Sequence, residues 1–430
     1  MRFDVKRVLT MLALIVSGEA IFSLPFVVAR VFRPTLLDTF QITNLELGTA
    51  FSLYGIVAML SYFPGGALAD RFSAKAMMIT SLLTTAIGGV LYAQIPSMFW
   101  LKCLFFYWGL STILFFWAAI IRATRVWGGE DGQGRAFGIL DGGRGLFAAI
   151  LASGLVIVFG SMLPEDIKTA TLEDKRAALG VVIWIMTVLT ALAGLLVYLC
   201  VPSESASDRD RAAGEASSES KLDLSQMGEV LKNPLVWLQG MIIITAYTGY
   251  KGMDDLSLLA RDTFLMDEVE AAQVSTIAFW TRPVAALAAG FLGDRFGGMR
   301  TIIACFVTMI IGNLVVAVGL LEPTLTWTLF LNVVVTGAAV YGLRGLYFAI
   351  FDDAGVPAKL TGTAVGLVSV IGYTPDIFIG PINGYLTDTY KGALGHQYFF
   401  GVLAVFSAIG LISAILFKLI SEKKARLSEV

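Results

Sequence analysis

One short stretch, Gly66-Ala67-Leu68-Ala69-Asp70-Arg71-Phe72-Ser73-Ala74-Lys75, ends an apolar run, turns through charge and begins another apolar run. It returns as Gly290-Phe291-Leu292-Gly293-Asp294-Arg295-Phe296-Gly297-Gly298-Met299-Arg300. The two Asp-Arg-Phe cores stand 224 residues apart in a chain of 430, slightly more than half its length. Two copies in the same setting divide the chain into like halves, which marks a duplicated membrane unit.

The rest of the chain agrees with a membrane setting. It is 57% hydrophobic and only 15% charged, whereas soluble domains carry about 25% charged residues. Twelve apolar stretches follow one another at 8–30, 46–68, 75–94, 98–121, 136–160 and 178–200, then 235–253, 272–293, 299–320, 326–350, 362–386 and 396–418. Each is long enough to cross a hydrocarbon core of about 30 Å. The basic start, Met1 to Arg7, is followed by a long apolar run holding Glu19 with no small-residue cleavage site, so it reads as a retained first span. Between the halves, 202–226 is polar and rich in small residues, the composition of a linker.

Lys and Arg fix the expected orientation. The loops that hold the termini and the linker carry 19 of them, and the opposite loops carry 8, counting Arg30 and Arg33 among the latter. The excess places both termini and the linker in the cytoplasm. The expected fold is an all-α membrane protein: twelve transmembrane helices in two pseudo-symmetric six-helix bundles, 1–201 and 227–430.

The repeat extends past the charged turn. Arg122 near the end of the fourth span answers to Arg344 in the tenth, each followed by an acidic pair, Glu130-Asp131 and Asp352-Asp353. Gly-rich helices come next, with Gly138, Gly142, Gly143 and Gly145 in the fifth span and Gly366, Gly372, Gly380 and Gly384 in the eleventh. Small residues let helices approach closely.

The pattern G-x-x-x-D-R-(F/L)-G-x-(K/R) resembles the loop between helices 2 and 3 of the major facilitator superfamily, repeated between helices 8 and 9. Ser73 replaces a common Gly in the first copy, and Met299 precedes Arg300 in the second. The resemblance covers the whole chain through helix number and spacing. It implies the major facilitator fold, transport by alternating access, and a gating role for Gly66, Asp70, Arg71, Lys75, Gly290, Asp294, Arg295 and Arg300. Tyr-Thr-Gly-Tyr-Lys at 247–251 and Arg-Gly-Leu-Tyr-Phe at 344–348 are similar to the organophosphate–phosphate antiporter branch.

Ionisable residues inside spans are the chemical signal, because each costs at least about 2.5 kcal/mol at mid-membrane unless paired or hydrated. Arg282, Arg144, Arg344 and Lys251, with Tyr247, Tyr250 and Trp280 beside them, are the candidate substrate-binding residues. Arg guanidinium groups match carboxylate and phosphate through two parallel bonds. Glu19, Asp376 and Asp141 are the candidate proton carriers, since buried carboxyls exchange protons near neutral pH. Asp141 and Arg144 are three residues apart on one helix face and also qualify as a self-neutralising pair.

No catalytic cluster is visible, and one histidine, His396, makes a His-based metal site or triad unexpected. Cys103, Cys200 and Cys305 have no metal spacing. No Gly-rich phosphate loop points to ATP. The expectation is a monomeric, proton-coupled carrier of a small organic or phosphorylated anion in the inner membrane, without metal, cofactor or nucleic-acid partner. The competing expectation is a proton-driven exporter of drugs or lipids on the same fold.

Overall fold

The computed structural model describes residues 5–129, 132–203, 232–347, 368 and 370–428, with the backbone alone at Phe63, Ala67, Asp70 and 425–428. Most of the predicted linker, both acidic pairs and the opening of the predicted 362–386 span lie outside the described residues. Every described element is helical.

The spanning helices are α1 (Val5–Val31), α3 (Asn44–Arg71), α4 (Ala74–Tyr92), α5 (Met98–Gly128), α6 (Gln133–Ser161), α7 (Leu172–Cys200), α8 (Pro234–Gly252), α10 (Glu268–Phe296), α11 (Gly298–Ala317), α12 (Thr326–Leu346), α13 (Pro375–Thr389) and α14 (Ala393–Ser428). Two short helices, α2 (Arg33–Phe40) and α9 (Leu256–Phe264), lie at the end where α1 finishes. Ten of the twelve are long and apolar enough by themselves to cross a membrane among the described residues. The other two are α8, which carries Gln239 and Lys251, and α13, whose described part is 15 residues.

Most helices run a few residues beyond their predicted ends because capping chemistry sits in the loops. Thr43 accepts from the Glu46 amide and Glu46 accepts from the Thr43 amide, which starts α3. Thr171 with Asp174 starts α7 the same way, and Asp267 with Glu270 starts α10. Each such box satisfies two amides that a helix start leaves open. The two copies of the charged turn use different devices. Ser73 caps α4 through the Ala76 amide, whereas Gly297 takes φ +95°, a conformation open to glycine. The replacement of a glycine by Ser73 is thus answered by a cap.

Wide helical turns interrupt α1 at Ser23–Val27, around Pro25, and α5 at Leu110–Trp117. In α1, proline lacks the amide that would close a regular turn.

Across the midline, α3 lies along α13 and α6 along α10. At the end bearing α2 and α9 these seams are tight. A Cβ on Gly48 would fall on the Gly380 carbonyl, and one on Gly384 would fall on the Leu45 backbone. Asp388 accepts from the Asn44 and Leu45 amides at 3.3 and 2.7 Å, and Ser52 donates to the Ile377 carbonyl at 2.5 Å. Lys175 pairs with Glu268, and Arg261 with Asp38 at 3.1 Å. At the opposite end, where the charged turns lie, Gly66, Gly138, Gly142 and Gly290 have nothing facing them within 4 Å among the described residues. The molecule is closed at the end bearing α2 and α9.

Candidate functional site

A cavity of about 120 Å³, partly open to solvent, lies between the two sets of helices. Of the predicted substrate and proton residues, all but Trp280 and Asp141 line it. Arg30, which by sequence counts among the loop charges, lines it too.

The ionisable groups form two knots. In the first, Glu19 of α1 faces Arg144 of α6 at 3.4 Å and Arg282 of α10 at 3.6 Å. Arg282 also donates to Asp141 at 2.9 Å. The structure therefore does not pair Asp141 with Arg144 along one helix; Asp141 reaches across to α10, and Arg144 turns to α1. Helix spacing permits an i,i+3 pair but does not enforce it when a closer partner stands on a neighbouring helix. Asp141 sits on the open side, its side chain 56% exposed.

In the second knot, Arg30 of α1 meets Asp254 at 2.5 Å, and Asp254 also takes Lys251 at 2.9 Å. Lys251 reaches Asp376 of α13 at 3.3 Å, and the Tyr247 hydroxyl donates to Asp376 at 3.0 Å. Arg30 and Lys251 are each only 6% exposed, so their charges depend on these carboxylates.

Arg344 is different. Among the described residues its guanidinium has no carboxylate within ion-pair distance. It lies over the Tyr250 ring at 3.9 Å and the Tyr247 ring at 5.8 Å. A cation over an aromatic face is held electrostatically without being neutralised. Five cations line the cavity, Arg30, Arg144, Arg282, Arg344 and Lys251. Among the described residues the first three and Lys251 are paired with carboxylates, Glu19 and Asp376 in the lining and Asp141 and Asp254 outside it, and Arg344 is not.

Trp280 points away from this space. It is 44% exposed and donates to Ser153 at 2.9 Å. The residues of the duplicated charged turn lie at the end opposite α2 and α9. Gly66 and Gly290 face nothing within 4 Å among the described residues, the Asp70 side chain lies outside the described residues, and Asp294, Arg295 and Arg300 are exposed. Arg71, Lys75, Asp294, Arg295 and Arg300 make no ion pair among the described residues.

Several residues escape a reading of the sequence. Arg30 and Arg33 are buried, and Arg33 donates to Asn44 at 2.8 Å. His396 is fully buried, its Nδ1 2.6 Å from Asp255 and its Nε2 3.3 Å from Asp262. Asn383 donates to the same Asp255 at 3.0 Å. A signal for Asp254 does exist: Lys251 and Asp254 stand three apart, a spacing that pairs charges on a helix. Among the described residues no cluster is suited to a metal ion.

Comparison with known proteins agrees with this architecture. The Major Facilitator Superfamily pattern matches residues 15–259. Inner membrane protein YqcE of Escherichia coli (strain K12) is 26% identical over 96% of this chain and 95% of its own length. Inner membrane protein YihN of the same strain is 24% identical over 96% and 95%. Two solved structures share the fold at low identity. The nucleoside transporter NupG, 17% identical, has a TM-score of 0.68, covering 97% of this chain and 99% of its own. A bacterial homolog of the human lysosomal transporter Spinster, inward-facing and unoccupied, is 15% identical with a TM-score of 0.69, covering 97% and 98%. The helices, the duplicated turn and a match across more than half of the sequence lead to one conclusion: the chain belongs to the Major Facilitator Superfamily and is a membrane transporter.

Proposed function

We propose that this transporter carries a small organic or phosphorylated anion across the inner membrane by alternating access, coupled to protons. It works as a monomer with both termini in the cytoplasm, and units 1–201 and 227–430 rock about the cavity. Arg344 is the observation that supports the anion. It is a cation over tyrosine rings, and of the five cations that line the cavity it is the one with no carboxylate in reach among the described residues. A buried cation without a counter-charge favours an anionic ligand over a neutral one.

Two features support proton coupling. Glu19 and Asp141 both hold Arg282 across the midline, so a proton on either weakens a link between the halves. Asp376 shares Lys251 with Asp254 and can give up its claim on that ammonium when protonated. The orientation draws support from burial as well. With Arg30 and Arg33 inside the protein, and Arg122 likewise on the other side, the opposite loops keep six basic residues against 18. The inner membrane is the location named for both Escherichia coli relatives.

The exporter reading has its own support. Arg30, Arg144 and Arg282 are matched by carboxylates within the protein, and Phe22, Phe26 and Trp117 give the cavity apolar walls. Reconstituted vesicles separate the two. With an inward proton gradient, anion uptake is expected to fall roughly tenfold or more in Arg344→Gln, the loss of one charge-assisted contact. Export of lipophilic compounds that survives Arg344→Gln establishes the exporter instead.

A further inference from the structure

We infer that the substrate is a cyclic organic anion bearing a single negative charge, held with its ring on a tyrosine platform and its charge on Arg344. The inference rests on the anion reading above and narrows it.

The platform is a chain of four rings. Tyr62 of α3 stacks on Tyr373 at 6.2 Å with the planes 14° apart. Tyr373 meets Tyr247 edge-on at 4.9 Å, and Tyr247 meets Tyr250 at 5.5 Å. All four line the cavity, and the chain crosses from one set of helices to the other. Arg344 lies at its far end, over Tyr250. Aromatic faces attract flat or C–H-rich ring surfaces, and give little to a narrow acyclic chain. A cation at one end of such a surface suits a ring with a carboxylate or similar group at one edge, as in a sugar acid in its pyranose form.

The charge count gives the valence. Of the five cations that line the cavity, four are paired with carboxylates among the described residues and Arg344 is not, so one negative charge completes the pairing. A second negative charge would stand uncompensated in a poorly hydrated space, unless a proton bound one of the carboxylates.

Thermal shift of the full-length protein in detergent at neutral pH tests this with four probes: glucuronate, gluconate, glucose 6-phosphate and glucose. A ligand that binds only the folded protein raises the melting temperature. Glucuronate is expected to stabilise most, gluconate less, and glucose not at all. Glucose 6-phosphate is expected to stabilise only when the pH is lowered. Arg344→Gln should abolish the glucuronate shift. Should Arg344→Gln fail to fold, Tyr62→Leu serves, because Tyr62 touches the platform and no ion pair; it should weaken glucuronate roughly two- to tenfold and leave gluconate unchanged.

Equal shifts from glucuronate and gluconate overturn the ring assignment and leave the anion reading standing. A pH-independent shift from glucose 6-phosphate larger than that from glucuronate overturns the single charge. Stabilisation by glucose alone overturns both inferences. No shift from any of the four overturns the ring-and-charge assignment, while uptake assays with other anions still decide the broader reading.

Discussion

Asp254→Ala is expected to lose about 3–5 kcal/mol of stability, the usual effect of removing one member of a buried ion pair. Two cations depend on that carboxylate. Arg30 sits 2.5 Å from it and Lys251 2.9 Å, and both are buried. Lys251 retains Asp376, but among the described residues Arg30 retains no carboxylate, only the Tyr250 hydroxyl at 3.1 Å and the rings of Tyr250 and Phe279. The damage therefore comes from a stranded guanidinium more than from a lost attraction. A double variant, Arg30→Met with Asp254→Leu, is expected to melt well above Asp254→Ala, because apolar replacement of a whole buried pair is often close to neutral. Melting curves in detergent of the parent, Asp254→Ala, the double variant and its two single changes decide it. If the double variant is as unstable as the sum of its single changes, Arg30 and Asp254 do not act as a pair.

Gly48→Ala is expected to stop transport, and Gly48→Leu to do so more completely. A Cβ at Gly48 would occupy the place of the Gly380 carbonyl and lie 2.8 Å from the Pro381 nitrogen. Both neighbours are backbone, so no side chain can swing aside. The nearby Gly384 meets the Leu45 backbone with the same intimacy, so the α3–α13 seam cannot slide to relieve the clash. The closed end must then part. Phe51, 4% exposed and just inside the seam, reports it: a cysteine at Phe51, with Cys103, Cys200 and Cys305 replaced by serine, should react slowly with a bulky thiol reagent in the parent and rapidly in Gly48→Leu. Wild-type transport by Gly48→Ala would show that the seam does not need its backbone contact.

The architecture could be read from the chain because a bilayer imposes it. A hydrocarbon core of fixed thickness dictates helix length, and the duplicated Asp-Arg-Phe turn reports the repeat. The identities of the embedded charges were legible for the same reason: Glu19, Arg144, Arg282 and Asp376 stand out against apolar neighbours. Their partners were not. Asp141 and Arg144 invite pairing by spacing, yet the separation between α6 and α10 hands Asp141 to Arg282, and no local pattern encodes that separation. Arg30 and Arg33 mislead for a different reason. They close an apolar run, where a loop usually begins, but α2 and α9 cover that end and extend the interior beyond it. His396 gives no signal because one histidine makes no catalytic site. Its two carboxylate partners come from a short turn and from α9, more than 130 residues away.

The adjacent residues Asp254 and Asp255 face opposite ways. Asp254 turns toward Arg30 and Lys251, while Asp255 is fastened to α13 through Asn383 and to α14 through His396. That turn is therefore bolted down on its far side, and it cannot follow α1 if α1 moves. Parting of the closed end separates opposite charges at the Arg30–Asp254 contact. Because that contact lies beyond the reach of mobile ions, which screen buried pairs weakly, the ionic strength of the medium has little leverage over that separation.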